Sequence, residues 1–156
     1  MLVQPFFQDY LDRLRELHAD MAGAVEGLPE AALDWVPGPG MNSLGVLAVH
    51  VAGAERYWVG DVVAGDSSGR DRGAEFGVQG LDIATLKGRL ADALAYARSV
   101  LERLSLGDLE EPRISPRDGR QFTVGWSLAH ALEHTAIHVG HAQITRQLWG
   151  QRRAPT

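Results

Sequence analysis

The chain contains no cysteine among its 156 residues. That excludes disulfides, thiolate metal sites, iron–sulfur clusters and a cysteine nucleophile. No stretch reaches 18 consecutive apolar residues, so no membrane-spanning helix is expected. Positive charge is scarce: 15 Lys and Arg face 20 Asp and Glu, for a net charge of −5. A nucleic-acid binder presents a basic patch, and the nearest approach to one is the pair Arg152-Arg153. Before Arg13 there is no basic residue, and no small-residue cleavage site follows an apolar run, so no signal peptide is expected. With 18 Gly and 7 Pro the chain is too poor in breakers to be disordered or fibrous.

What is present is enough apolar content, 45%, for one core. These features together predict a single domain over residues 1–156 in the cytoplasm, acting on a small molecule rather than on nucleic acid or membrane.

Four segments have helical periodicity. In the first, from about Gln4 to Gly27, Phe6, Phe7, Tyr10, Leu11, Leu14, Leu17, Met21 and Val25 recur at steps of three and four. A turn-rich stretch with two Pro-Gly pairs, 37–40, cannot continue a helix. Asn42 or Ser43 then caps a second segment to about Ala64, which is apolar nearly all round and therefore central. Residues 65–80 are glycine-rich and read as a mobile loop. Asp82 caps a third segment to about Leu104, and Thr123 a fourth to about Leu148. Short extended pieces fit between Ser105 and Gln121. The pattern predicts an all-α four-helix bundle with long connecting loops.

Four of the six histidines fall between positions 130 and 141: His130, His134, His138 and His141. The first three repeat every four residues and stack along one helical stripe, about 6 Å apart per step. Imidazoles at i and i+4 can converge on one metal ion. A further ligand must come from elsewhere, and His50 is the candidate, set in the most apolar segment of the chain. An imidazole is costly to bury without a partner, and a metal on a facing helix would provide one. For His18 the expectation is an ordinary hydrogen bond to a backbone carbonyl. His130 and His141 are expected to orient ligands or to pack with Gly140 against a neighbouring helix.

These residues resemble the DinB/YfiT-like superfamily of metal-binding four-helix bundles. The anchors are Asn42-Ser43-Leu44, His50 and Glu55-Arg56-Tyr57-Trp58 in the second segment, and His134-Thr-Ala-Ile-His138-Val-Gly140 in the fourth. The resemblance implies that His50, His134 and His138 hold a divalent metal. The stretches Asp118–Trp126 and His138-Val-Gly-His141-Ala142 resemble an actinobacterial-type branch related to mycothiol-dependent transferases. There the position matching His134 is commonly a glutamate; here it is histidine, with Glu133 beside it, which implies a neutral three-histidine site. The superfamily includes thiol S-transferases that use bacillithiol or mycothiol, and a maleylpyruvate isomerase. A homodimer is expected from the superfamily and from the all-round apolar second helix.

Three imidazoles leave open positions on a zinc or nickel ion, the layout of a catalytic rather than a structural site. Two reactions follow. A low-molecular-weight thiol, supplied as cosubstrate because the chain has no cysteine, attacks a small electrophile. Alternatively, activated water attacks a carbonyl or ester. A third reading is a non-enzymatic metal-binding or stress-related protein. Glu133 and Glu55 are the candidates to move a proton, against their being solvated or ion-paired. Trp35, Tyr57, Trp58 and Trp126 line the mouth or belong to the core, and Arg56 binds a substrate anion or makes an ion pair. Proton competition for ordinary imidazoles predicts that metal affinity falls below about pH 6.5.

Overall fold

Ser43, Asp82 and Thr123 each start a long helix by accepting a hydrogen bond from the backbone N–H three residues on, at Val46, Thr85 and Trp126. The computed structural model describes residues 3–152. Helix α1 spans Pro5–Val25, with Pro5 in its first turn and Gln4 as N-cap. A single turn, α2 (Glu30–Leu33), precedes α3 (Leu44–Glu55), which continues without a break as a π-helix over Arg56–Ala64. Gly65 ends it in the left-handed conformation, φ 67°, where a side chain would be strained. Helix α4 (Arg72–Glu75), capped by Asp71, lies inside the stretch read as a loop, and α5 covers Ile83–Leu101. A 3₁₀ turn at Leu106–Glu110 and an antiparallel hairpin, β1 (Pro112–Ile114) with β2 (Gln121–Thr123), lead into α6 (Val124–Gln151). The helix ends fall within a few residues of those expected; α5 stops one turn earlier and α6 runs slightly further.

Helix α1 packs on α5 and α6, and α3 packs on the same two, so α1 and α3 face each other across the bundle. Every residue of α3 except Gly53 is buried, as are Tyr57–Val63 of the π-helix. The apolar circumference of this segment is thus consumed inside one chain. Its apolar surface is covered without a second chain, so a dimer would have to use another face.

The apolar interior falls into two clusters. One gathers around Leu11, Leu14, Trp58, Val62 and Leu128, the other around Met21, Leu47, Val51, Leu90 and Val139. Truncating one of these large residues to alanine costs about 2–5 kcal/mol. Between the two sequence blocks on each helix sits a buried polar residue: His18 on α1, Glu55 on α3 and Thr135 on α6. His18 Nε2 lies 2.6 Å from Glu55 Oε2. The backbone-carbonyl partner expected for His18 is therefore replaced by a carboxylate 37 residues away. Trp35 packs edge-on against Trp149 and Arg152 lies over the Trp149 ring; Arg153 is outside the described residues.

Candidate metal centre

Helices α3 and α6 lie side by side, and each presents histidine to the other. The four-residue spacing on α6 brings His134 Nε2 and His138 Nε2 to 3.2 Å, and His50 Nε2 of α3 reaches His134 Nε2 at 3.1 Å. One nitrogen from each of the three lies within 4.8 Å of the others, the single such group of potential ligands among the described residues. Two ligand nitrogens on a tetrahedral zinc are separated by about 3.4 Å, from Zn–N bonds near 2.1 Å. The observed separations are close to that edge.

Histidine 50 is held from behind. Its Nδ1 donates to Glu75 Oε2 at 2.8 Å, which leaves Nε2 as a lone pair facing His134. Glu75 is itself clamped by Arg70, whose Nε and Nη2 donate to the two carboxylate oxygens at 2.5 and 2.8 Å. Burial pushes the Glu75 carboxyl up, but the hydrogen bonds from Arg70 and His50 outweigh it and hold the group below the usual carboxylate range. Gly53 makes this possible: a Cβ there would lie 2.1 Å from Glu75 Oε1. A carboxylate behind a ligating imidazole fixes its tautomer and raises its basicity.

The other two imidazoles are neutral. Burial, then the neighbouring histidines and Arg70, bring His134 down to about 3. Burial, then His50 and His141, bring His138 down to about 4. The donor set itself calls for a cation. His134 Nε2 faces two other Nε2 atoms, and as a neutral ring it can donate to only one of them. His134 Nδ1 is buried without a partner among the described residues. Three imidazole nitrogens converging on one point fit a divalent metal.

The remaining candidates distribute around this centre. His130 stacks on Trp126 (4.8 Å, 11°) and meets Trp58 edge-on at 4.7 Å, forming an aromatic wall completed by Phe122. Trp126 is exposed and Trp58 is buried. His141 is exposed, its ring 5.4 Å from that of His138. Phe76 of the connecting segment lies 4.9 Å from the His50 ring. Tyr57 is buried, with its hydroxyl 2.7 Å from Ser115 Oγ.

Three candidates are placed away from the cluster. Glu55 is 1% exposed and bonded to His18, so it is neither at the three nitrogens nor on the surface. Glu133 points to solvent with a 69% exposed side chain, and its ion-pair partner is His130 at 3.9 Å. Arg56 pairs with Asp61 and Asp66 and lies over the Tyr96 ring, the ion-pair alternative of the two expected for it. The residues that sequence reasoning missed are Glu75 and Arg70. The usable signal was Asp71, a capping residue with an acid four positions on, inside an otherwise glycine-rich stretch.

Fold and site together define a four-helix bundle with a three-histidine candidate metal site between two of its helices. The chain belongs to the DinB superfamily, whose sequence profile matches residues 13–142. Its fold is similar to that of a conserved protein from Enterococcus faecalis, at 17% identity and TM-score 0.78, over 93% of this chain and 97% of that one. It is also similar to YfiT from Bacillus subtilis, described as a probable metal-dependent hydrolase with an unusual four-helix bundle topology; identity is 14%, TM-score 0.75, with 97% and 92% covered. A mycothiol-dependent maleylpyruvate isomerase matches at 15% identity and TM-score 0.62, over 86% of this chain and 59% of that one. No curated protein matches the chain. No helix among the described residues is long and apolar enough to cross a membrane.

Proposed function

We propose that this chain is a divalent-metal-dependent enzyme that transfers a low-molecular-weight thiol to a small electrophile, with His50, His134 and His138 as the ligands of a zinc or nickel ion. The observation that carries the reading is the convergence of three imidazole nitrogens backed by the Glu75–Arg70 clamp. A bound divalent ion would supply undiluted positive charge, which favours the deprotonated form of a thiol. Without cysteine in the chain, the sulfur comes from a cosubstrate.

The protein's own residues bind and orient. Glu75 keeps the His50 proton on Nδ1, so that Nε2 stays a ligand. The wall of Trp58, Trp126 and His130 supplies flat apolar surface beside the ligands. Thiol transfer is favoured over hydrolysis because the carboxylates that would serve a water nucleophile as base are engaged or remote: Glu55 with His18, Glu75 with Arg70 and His50, and Glu133 in solvent. The description of YfiT as a probable metal-dependent hydrolase supports hydrolysis as the second reading. The homodimer is also part of this proposal; Ile137 and Ile144, both about half exposed and two turns apart on α6, offer it a surface.

The test is a paired assay on zinc- and nickel-loaded protein: consumption of a thiol together with a model electrophile, against cleavage of an ester with no thiol present. Metal-dependent loss of both thiol and electrophile supports transfer. Metal-dependent ester cleavage without thiol replaces it with hydrolysis.

A further inference from the structure

Three guanidiniums line one cavity of about 250 Å³, bounded by Tyr57 and by the segments around residues 69–72 and 116–117. Arg70 is committed to Glu75 through two hydrogen bonds. Arg72 is not committed, and Arg117 is held only by a loose ion pair with Asp118. Arg72 is exposed, lies 4.8 Å over the Phe76 ring and has no carboxylate partner among the described residues. Arg117 is exposed and approaches Asp118 only at 3.6 Å, beyond hydrogen-bond distance. Asp118 is already engaged by Arg120 at 2.9 Å.

The one acid lining the cavity does not cancel this charge. Asp61 takes Arg56 Nη1 at 3.1 Å and both the backbone N–H and the hydroxyl of Ser68 at 3.0 Å. Arg56, which does not line the cavity, is shared between Asp61 and Asp66, so Asp61 offsets one part of the charge of the three guanidiniums and leaves the site positive. One unpaired guanidinium and one only loosely paired, in a single concave site, favour an anion.

The cavity adjoins the clamp behind His50, and none of the three histidines lines it. Arg70 lines it and brings Nη2 to 3.4 Å from His50 Nδ1. A second path runs from Arg72 over Phe76 to the His50 ring, 4.9 Å beyond. We propose that this cavity binds a carboxylate group of the substrate, with Arg72 and Arg117 as its anchors, while the reactive end of the same molecule lies at the three histidines. The second half rests on the metal-dependent reading above. Planar guanidinium forks match a carboxylate edge to edge; they also take phosphate, so the two anions are tested separately.

The test titrates malonate, and inorganic phosphate separately, into zinc-loaded and metal-free protein at constant ionic strength, following amide chemical shifts. Wild type is compared with the double variant Arg72→Gln/Arg117→Gln, in which both changes are on the surface. Malonate is expected to bind both forms of the wild type and to weaken roughly tenfold or more in the double variant, as lost charged hydrogen bonds require. Zinc affinity, read with a chromophoric chelator, is expected to stay within about twofold, since neither arginine touches a histidine. Malonate binding that is absent in the wild type, or unchanged in the double variant, overturns the proposal. Phosphate binding more tightly than malonate overturns the carboxylate assignment. Failure of the wild type to bind zinc, with malonate still lost in the double variant, removes the metal reading and leaves the anion receptor standing.

Discussion

Helix α3 takes part in two histidine–carboxylate pairs, and they have opposite outcomes. In one it supplies the acid: Glu55 meets His18 of α1 at 2.6 Å, and both side chains are almost wholly buried. In the other it supplies the base: His50 meets Glu75 of α4 at 2.8 Å. The first pair is closed, since His18 Nδ1 and Glu55 Oε1 find no further partner among the described residues. The second is saturated on one side by Arg70 and open on the other, where His50 Nε2 joins two more imidazoles. The same two functional groups thus make a closed structural contact or one part of a candidate metal centre, and the atoms beyond the pair decide which. The electrostatics agree. Burial raises the Glu55 carboxyl despite the hydrogen bond from His18, whereas Arg70 and His50 overcome burial at Glu75 and lower it.

The largest expected effect belongs to the closed pair. His18→Leu leaves Glu55 buried and alone, and should cost about 3–5 kcal/mol in denaturant unfolding. The double variant His18→Leu/Glu55→Leu should recover most of that loss, because two apolar groups replace a pair that burial barely tolerates. No recovery would mean that the pair is itself a strong net stabiliser.

At the open pair the effect should fall on ligand binding instead. His134→Ala removes a ligand and should lower zinc affinity by more than about 100-fold, the upper range for loss of a supporting residue. Unfolding of the metal-free protein should change little, since His134 Nδ1 is already without a partner. Gly53→Ala should follow, at roughly 10- to 100-fold in zinc affinity, because the added methyl displaces Glu75 from behind His50. Equal zinc binding by this variant would show that the clamp is not needed to orient His50.

The pairs should also respond to pH with opposite sign. Glu75 is lowered in the fold, so its contribution is present above the ordinary carboxyl value of 4.5 and is lost as pH falls through its folded value. Glu55 is raised, so its contribution is present below 4.5 and is lost as pH rises through its folded value. Stability measured on either side of 4.5 should therefore change differently with pH in Glu55→Gln and Glu75→Gln, each relative to wild type. Identical profiles would erase the distinction.

The smallest effect is a slope. His134 and His138 are neutral down to about 3 and 4, so neither takes up a proton between pH 6.5 and 5. The logarithm of zinc affinity should fall by at most about one unit per pH unit there. This moves the loss of metal below the value expected for ordinary imidazoles. A steeper fall would show that the α6 histidines titrate normally.

Much of this was legible from sequence where the physics is local. Ser43, Asp82 and Thr123 cap helices through bonds spanning three residues, and the His134–His138 spacing projects both rings from one face. His50 could be singled out because an imidazole in an apolar helix needs a partner. The clamp was not legible. Glu75 is 25 residues from His50, and it fits only because Gly53 has no side chain, a fact about empty space rather than pattern. Glu55 was misread for a related reason. The flank of an apolar helix does not reveal which neighbour it will face, and His18 comes from another helix.

The π-helical stretch that follows α3 has a consequence for descent. Its hydrogen bonds span one residue more than those of an α-helix, so it packs additional residues into each turn. A lineage can gain or lose a residue between Glu55 and Gly65 by exchanging π turns for α turns. Each exchange swings Tyr57 and Trp58 about the helix axis, while His50 upstream keeps its place. The aromatic wall beside the three histidines can therefore be re-aimed without moving His50.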